Sequence, residues 1–250
     1  ELGAVPLKGL TNPQLIFTLS GRRRKVEAGT LKGRTLAPMV GREEQRAVLL
    51  NQLQALYEQA QSSCLVIEGE AGIGKSRLVI ELVEQARTLG LVSLLGTGDA
   101  IENAAAYHAW RPLFRQVFGL DAPSEEMKTA PIEEWRANVL HQLQDLPTHF
   151  VPLIPLLNVV LPLDLPENEF TAQLSGEVRA NNTLDLLVGL LQTRAQSQPL
   201  LIVLDDAQWF DSASWVLTRM ISRTLQPLLL VIVTRPLENP QPGEYTALLE

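Results

Sequence analysis

The octapeptide GEAGIGKS, Gly69 to Ser76, constrains this chain more than any other stretch. It fits G-x-x-x-x-G-K-[ST], follows the apolar run CLVIE and precedes the amphipathic RLVIELVEQARTLG. A strand that turns through glycines into a helix directs backbone N–H groups inward and adds helix-dipole potential, and the two together cradle polyphosphate. Gly69, Gly72 and Gly74 permit the tight turn, and Lys75 is placed to reach β- and γ-phosphates. Ser76 offers a hydroxyl to Mg2+, while Ala71, Ile73 and Arg77 complete the expected nucleotide-binding set. The alternative is a glycine-rich turn that happens to contain a lysine, which the strand–loop–helix context disfavours.

A second signal lies in PLLIVLDDAQWFDSASW, Pro199 to Trp215, where an apolar run stops at two adjacent carboxylates. Neighbouring acids raise each other's cost of ionisation, and a metal and a lysine nearby offset it. Asp205 ends a buried strand, where the ends of parallel strands meet the phosphate loop, and is expected to hold Mg2+ opposite Ser76. Alternation along a strand sends Asp206 to the other side, so it is assigned to orienting or polarising the attacking water. Capping of the next helix suits Asp211 or Ser212 better than Asp205. A third signal, LLLVIVTRP, puts Thr234 and Arg235 after a buried strand expected beside that of Asp205, placed to sense the γ-phosphate. For Arg235 the alternative is a plain surface arginine before Pro236.

Hydrophobic patterning supplies the frame. Residues 42–60 carry Leu49, Leu53, Leu56 and Ala60 at helical spacing, with acids in the first turn. A second helix is expected from about Lys75 to Leu89, with Leu78, Leu82, Val83, Ala86 and Leu89 on one face and Gly90 as its stop. Cys64 to Glu68, LVSLLG, Leu200 to Leu204 and Leu228 to Thr234 are apolar on successive residues, which marks strands covered on both faces of a parallel sheet. Helices between them make βα units, hence an α/β layer sandwich, and the Gly69–Ser76 motif makes the expectation a P-loop NTPase three-layer sandwich. Residues 101 to about 170 interrupt that rhythm and read as a mainly helical insertion broken at Pro147, Pro152 and Pro155. Within it Tyr107, Trp110 and Phe114 fall on one helical face and are read as core. Trp215 is expected to be buried; Trp209 packs either near the nucleotide or elsewhere.

Residues 1–20 read as two short strands around KGLTNPQ, a β-hairpin too small to bury much and so expected to belong to a sheet upstream. Residues 21–38, with the run Arg22-Arg23-Arg24-Lys25, read as a solvated linker; contact with an anion or acidic partner is the alternative. A net charge of −7 over 250 residues argues against direct nucleic-acid binding. No apolar stretch reaches the roughly 18 to 20 residues of a membrane span. The single cysteine, Cys64, excludes an internal disulfide and fits a reducing, cytoplasmic location. It opens an apolar run and is read as core. His108, His141 and His149 lack metal-ligand spacing and are assigned structural or surface roles. The chain begins at Glu1 and stops within EYTALLE, so a piece of a longer protein is expected.

With MVGREEQRAVLLNQL ahead of them, the three signals resemble the nucleotide-binding core of the STAND branch of AAA-related P-loop ATPases. That resemblance implies a switch in which ATP binding, slowly reset by hydrolysis, drives rearrangement or nucleotide-dependent oligomer assembly, with ATP, ADP and Mg2+ as ligands. It implies adenine contact at Val40 and Gly41, matches Thr234 and Arg235 to the family's sensor, and matches Asp206 to the second acid of its Walker B segment. The implied catalytic set is Lys75, Asp205, Asp206 and Arg235. GTGDAIENAAAYHAWRPLFRQVF and LDDAQWFDSASW are further similar to the ATPase segment that follows a class III nucleotidyl cyclase domain in large soluble adenylyl cyclase-like proteins. LGAVPLKGLTNPQLIFTLSG resembles the last hairpin of such a cyclase. Residues 1–20 are then the tail of a truncated cyclase domain, 21–38 a linker and 39–250 an ATPase domain without its helical lid. The implied partners in cis are an upstream cyclase domain and downstream repeats. The metal-binding aspartates of a cyclase would precede Glu1, so this piece is not expected to make a cyclic nucleotide itself. Two rival readings stand beside this one. The first is a nucleotide-gated interaction module without useful turnover, motivated by aspartate at 206 where many fast ATPases have glutamate. The second is the ATPase core of a transcriptional regulator with a C-terminal DNA-binding domain.

Overall fold

The computed structural model describes residues 3–5, 14–16, 41–102, 104–120, 132–144, 146–237 and 241–249. The chain divides into two compact units, Glu1–Pro38 and Met39–Glu250. In the first, β1 (Gly3–Val5) pairs antiparallel with β2 (Gln14–Ile16), with Ala4 opposite Leu15. The turn between them and the basic run at 22–25 lie outside the described residues.

The second unit is an α/β sandwich. Four strands, β3 (Ser63–Glu68), β4 (Val92–Thr97), β5 (Leu200–Asp205) and β6 (Leu228–Thr234), form one parallel sheet in the order β3-β6-β5-β4. The strand of Thr234 therefore lies between the strand that enters the Gly69–Ser76 loop and the strand that ends in Asp205. Alternation along β5 and β6 explains the unbroken apolar runs. Leu201, Val203, Leu229, Val231 and Val233 enter a core under α1 (Glu43–Gln59) and α2 (Lys75–Thr88). Leu200, Ile202, Leu204, Leu230 and Ile232 enter a larger core on the opposite face. Both faces are covered, so period-2 polarity has no role here.

Leu49, Leu53 and Leu56 of α1 are buried as their spacing requires, and Glu43 and Glu44 face the positive end of its dipole. Ala60, expected on the same stripe, is exposed and closes the helix in the left-handed region (φ 51°), donating its N–H to the Leu56 carbonyl. The helix has already ended there, so helical spacing no longer places it. Cys64 is also not core: it is exposed. Leu65 and Ile67 pack toward α1 and α2, so alternation turns Cys64 to the other face of β3, the edge strand of the four.

The described residues of the segment from 101 to 170 are mainly helical but form no separate body. It contains a 3-10 turn (His108–Trp110), α3 (Arg111–Val117), α4 (Ile132–Gln142) and a twelve-residue 3-10 run, Thr148–Val159. Trp110, Phe114, Val139 and Leu157 join the same core as Ile202 and Leu230. Pro152 and Pro155 do not break the run but lie inside it, while Pro147 directly precedes it. Successive tight turns tolerate a missing N–H better than one continuous α-ladder does. Tyr107 is buried, as expected, yet it precedes the helical turn in a left-handed conformation rather than sharing its face. After a short 3-10 turn at Thr171–Gln173 come α5 (Gly176–Ser197), α6 (Ser212–Thr224) and α7 (Gly243–Leu249).

Asp211 joins this segment to α6. It caps α6, its carboxylate accepting from the Ser214 N–H at 2.8 Å and the Ser214 hydroxyl at 2.5 Å. The same carboxylate accepts from the N–H groups of Tyr107 at 3.0 Å and His108 at 3.1 Å. Its charge, after burial, raises the Tyr107 pKa. An Asp211→Ala variant loses a cap and strands several half-buried donors, so unfolding in urea should show a loss of about 2–4 kcal/mol.

Candidate nucleotide site

β3 delivers the Gly69–Ser76 loop to the C-terminal rim of the sheet. Gly72 (φ 80°) and Gly74 (φ 101°) take backbone conformations that side chains disfavour, and α2 begins at Lys75 immediately after them. The first free N–H groups and the positive dipole end of α2 therefore face the loop. The loop is tied to β6 at its start, where the Gly69 N–H donates to the Thr234 carbonyl at 3.3 Å. Lys75 Nζ donates to the Gly69 carbonyl at 2.5 Å and the Glu70 carbonyl at 3.0 Å, which holds the ammonium across the loop. An ammonium has three donors, so one remains for an anion. Ala71, Gly72, Ile73 and Ser76 are exposed, and Arg77 is half-buried and engaged.

Asp205 ends β5 on the same rim, level with Thr97 of β4. Strands lie about 4.8 Å apart, so β5 stands about 10 Å from β3 across β6. Asp206 departs from the expected geometry. It is not the next residue of a strand but sits in the left-handed region (φ 53°, ψ 40°) and starts a 3-10 turn, Ala207–Trp209. A backbone kink, not pleat alternation, separates the two carboxylates, because β5 has ended at Asp205. The Asp206 N–H donates to Asp205 Oδ1 at 2.8 Å. Gly98, just beyond β4, fixes the kink from the side: its N–H donates to the Asp205 carbonyl at 2.9 Å. A methyl group at Gly98 would sit 2.5 Å from the Asp206 carbonyl oxygen, so only glycine permits this approach.

Thr234 is fully buried, and its hydroxyl donates to the Arg235 carbonyl at 2.9 Å; the Arg235 side chain is exposed beside the rim. Gly41 (φ 78°) is among the described residues, whereas Val40 lies outside them. Trp215 is buried against Phe210 and Tyr245, while Trp209 is exposed.

Three neighbours of the site went unassigned in the sequence. Arg42 donates from Nη2 to the Ile73 carbonyl at 3.1 Å, linking the segment ahead of α1 to the loop tip. Gln208 touches both Asp206 and the main chain of Arg235. Glu68, the residue before Gly69, accepts from the Tyr245 hydroxyl at 2.9 Å. Arg42 and Gln208 do stand inside the motifs GREE and DDAQW, but a motif match names no partner for them. Burial, then the Glu68 carboxylate, pushes the Tyr245 hydroxyl up to about 12. The folded state thus holds that proton more tightly than the unfolded chain, whose tyrosines titrate near 10. Stability from this group is present below about pH 10 and declines toward pH 12. A Tyr245→Phe variant should show a shallower loss of thermal stability across that interval, read by circular dichroism melts.

Lys75, the exposed Ser76 hydroxyl and Asp205 thus put a cation, a hydroxyl and a carboxylate on one rim of the sheet. Among the described residues no group of three or more His, Cys, Asp or Glu could hold a metal ion. The donor set suits Mg2+, which keeps several waters and shares substrate oxygens, rather than an ion caged by protein.

Over 240 residues the chain is 20% identical to adenylate cyclase type 10 of Oryctolagus cuniculus, covering 94% of this chain and 14% of that protein. It is 21% identical over 245 residues to adenylate cyclase type 10 of Homo sapiens, covering 96% and 14%. Over 88 residues it is 33% identical to an uncharacterized protein of Rhizobium meliloti, covering 34% and 8%. The chain thus spans 14% of the length of these adenylate cyclases. Among the described residues no helix is long and apolar enough to cross a membrane. The model of the AAA ATPase domain matches residues 38–233, from just ahead of Gly41 to the residue before Thr234. With a parallel sheet, a glycine-rich loop entering a helix and an acid ending the strand two places away, the chain belongs to the AAA ATPase domain family.

Proposed function

We propose that this chain binds ATP with Mg2+ and hydrolyses it slowly, as a STAND-type switch module of a larger signalling protein that carries a nucleotidyl cyclase domain. The observation that carries the proposal is the common rim: loop Gly69–Ser76, Asp205 and the Thr234–Arg235 exit at the ends of three adjacent parallel strands. Lys75 and the backbone of residues 69–76, including Ala71, Ile73 and the Arg77 end of the first turn, bind the phosphates. Ser76 and Asp205 would hold Mg2+, which would supply neutralisation of phosphate charge. Asp206 orients the attacking water, Thr234 and Arg235 report on the terminal phosphate, and Val40 with Gly41 lies against the adenine. Residues 1–20 are the end of the cyclase domain, 21–38 the linker and 39–250 the ATPase domain. The cyclase and repeat segments act in cis, nucleotide state sets assembly, and the protein works in the cytoplasm. Likeness to adenylate cyclase type 10 over both units supports the fusion.

A second reading, a nucleotide-gated module without turnover, is favoured by one observation: the Asp206 carboxylate is already engaged by the Gln208 amide. Phosphate release and ATP binding, each measured with and without Mg2+, separate the two. An Asp205→Asn variant should keep metal-free ATP affinity within about threefold and lose about tenfold of the Mg2+ enhancement. An undiminished Mg2+ response would remove Asp205 from the metal. Binding without any phosphate release by the wild type would leave the gated module standing.

A further inference from the structure

We propose that Gln208 is a positioning residue that ties the Asp206 carboxylate to the exit of β6, so that the acid and the Arg235 segment move together. Its Nε2 donates to Asp206 Oδ1 at 3.0 Å, and its Oε1 accepts the Arg235 main-chain N–H at 3.1 Å. A carboxamide is suited to this task because donor and acceptor are held in one rigid plane. Its orientation is fixed by its partners. A main-chain N–H can only donate and an ionised carboxylate can only accept, so the flipped amide would lose both bonds.

The surroundings make the bridge the adjustable part of the assembly. The main chain at Asp206 is locked by the 3-10 turn, in which the Trp209 N–H donates to the Asp206 carbonyl at 3.0 Å and the Phe210 N–H to Ala207 at 3.1 Å. Gly98 approaches it too closely for any side chain. Thr234 is buried and paired through β6 with Glu68 at the entry to the phosphate loop. Arg235, one residue on, is exposed, and its N–H finds its acceptor in Gln208. A displacement of the β6 exit is therefore passed through one amide to an acid just beyond the end of the neighbouring strand. The catalytic consequence rests on the hydrolysis proposed above; the coupling itself does not.

The test uses the 250-residue chain and three variants. Gln208→Met keeps length and volume but makes neither bond. Gln208→Glu keeps an acceptor for Arg235 and loses the donor to Asp206. Asp206→Ala removes the anchor of the amide. For Gln208→Met, phosphate release should fall about tenfold while the ATP Kd stays within about threefold, and the Arg235 amide should exchange with solvent about tenfold faster. Gln208→Glu, which keeps an acceptor but puts a second carboxylate against Asp206 in place of the donor, should lose turnover to a similar extent and also speed Arg235 exchange, which a merely local bond from residue 208 to Arg235 would not produce. Asp206→Ala should speed Arg235 exchange, because the amide that accepts the Arg235 N–H loses its anchor. Unchanged Arg235 exchange in both Gln208→Met and Asp206→Ala overturns the proposal, whether or not ATP is hydrolysed. Absence of phosphate release from the wild type defeats the hydrolysis proposal alone and leaves the exchange measurement to decide on Gln208.

Discussion

Replacing Lys75 with alanine should weaken ATP binding by roughly a hundredfold and remove measurable phosphate release, leaving the melting temperature within about 2 °C of the wild type. The asymmetry follows from what the ammonium touches. Its protein partners are two loop carbonyls, those of Gly69 and Glu70, both near the surface and open to water once the side chain is gone. Water replaces those bonds at little net cost. No such replacement exists for the phosphates. A charge-assisted bond in a site lined by main-chain donors contributes about 1.5–3 kcal/mol, and the positive charge itself is lost with it. Isothermal titration with ATP and a coupled phosphate assay check both halves. An affinity within a few-fold of the wild type would mean that the loop does not bind phosphate through this residue, and the nucleotide site would have to lie elsewhere.

Trp110→Ala should produce the largest loss of stability, about 3–5 kcal/mol in denaturant unfolding. Trp110 is fully buried, lies 6.5 Å from Phe114 between ring centroids, and donates from Nε1 to the Ser214 carbonyl at 3.3 Å. Truncation leaves a cavity that the surrounding Leu and Phe side chains fill only in part. It also removes the donor from a carbonyl at the start of α6. The loss should not stay local, because residue 110 belongs to the segment that interrupts the βα rhythm yet packs into the sheet's own core. With Trp135 and Trp209 replaced by phenylalanine, fluorescence of the remaining Trp215, far along the chain, should report the same single transition as circular dichroism. Two separable transitions would instead make the 101–170 segment an independent unit.

What could be read from residues alone was whatever depends on local order along the chain. The four strands of the sheet and the two helices around the loop follow from runs and spacings, because a buried parallel strand must be apolar on successive residues and a half-buried helix must repeat near 3.6. The Gly69–Ser76 loop is equally local: its chemistry is the main chain itself, and glycines mark where that chain must turn. Tertiary structure decided the remainder, since it depends on which distant residues meet. Cys64 stands in an apolar run but on an edge strand, so its neighbours in sequence do not settle its burial. Asp206 looks like the next residue of a strand, yet Gly98, more than a hundred residues earlier, fixes the kink that turns it. The roles of Arg42, Glu68 and Gln208 arise from hydrogen bonds to the loop tip, to α7 and to the end of β6. Such bonds are directional and short-ranged, and no periodicity encodes them. Sequence determined the strands of the sheet and the helices around the loop; packing determined which distant side chains meet there.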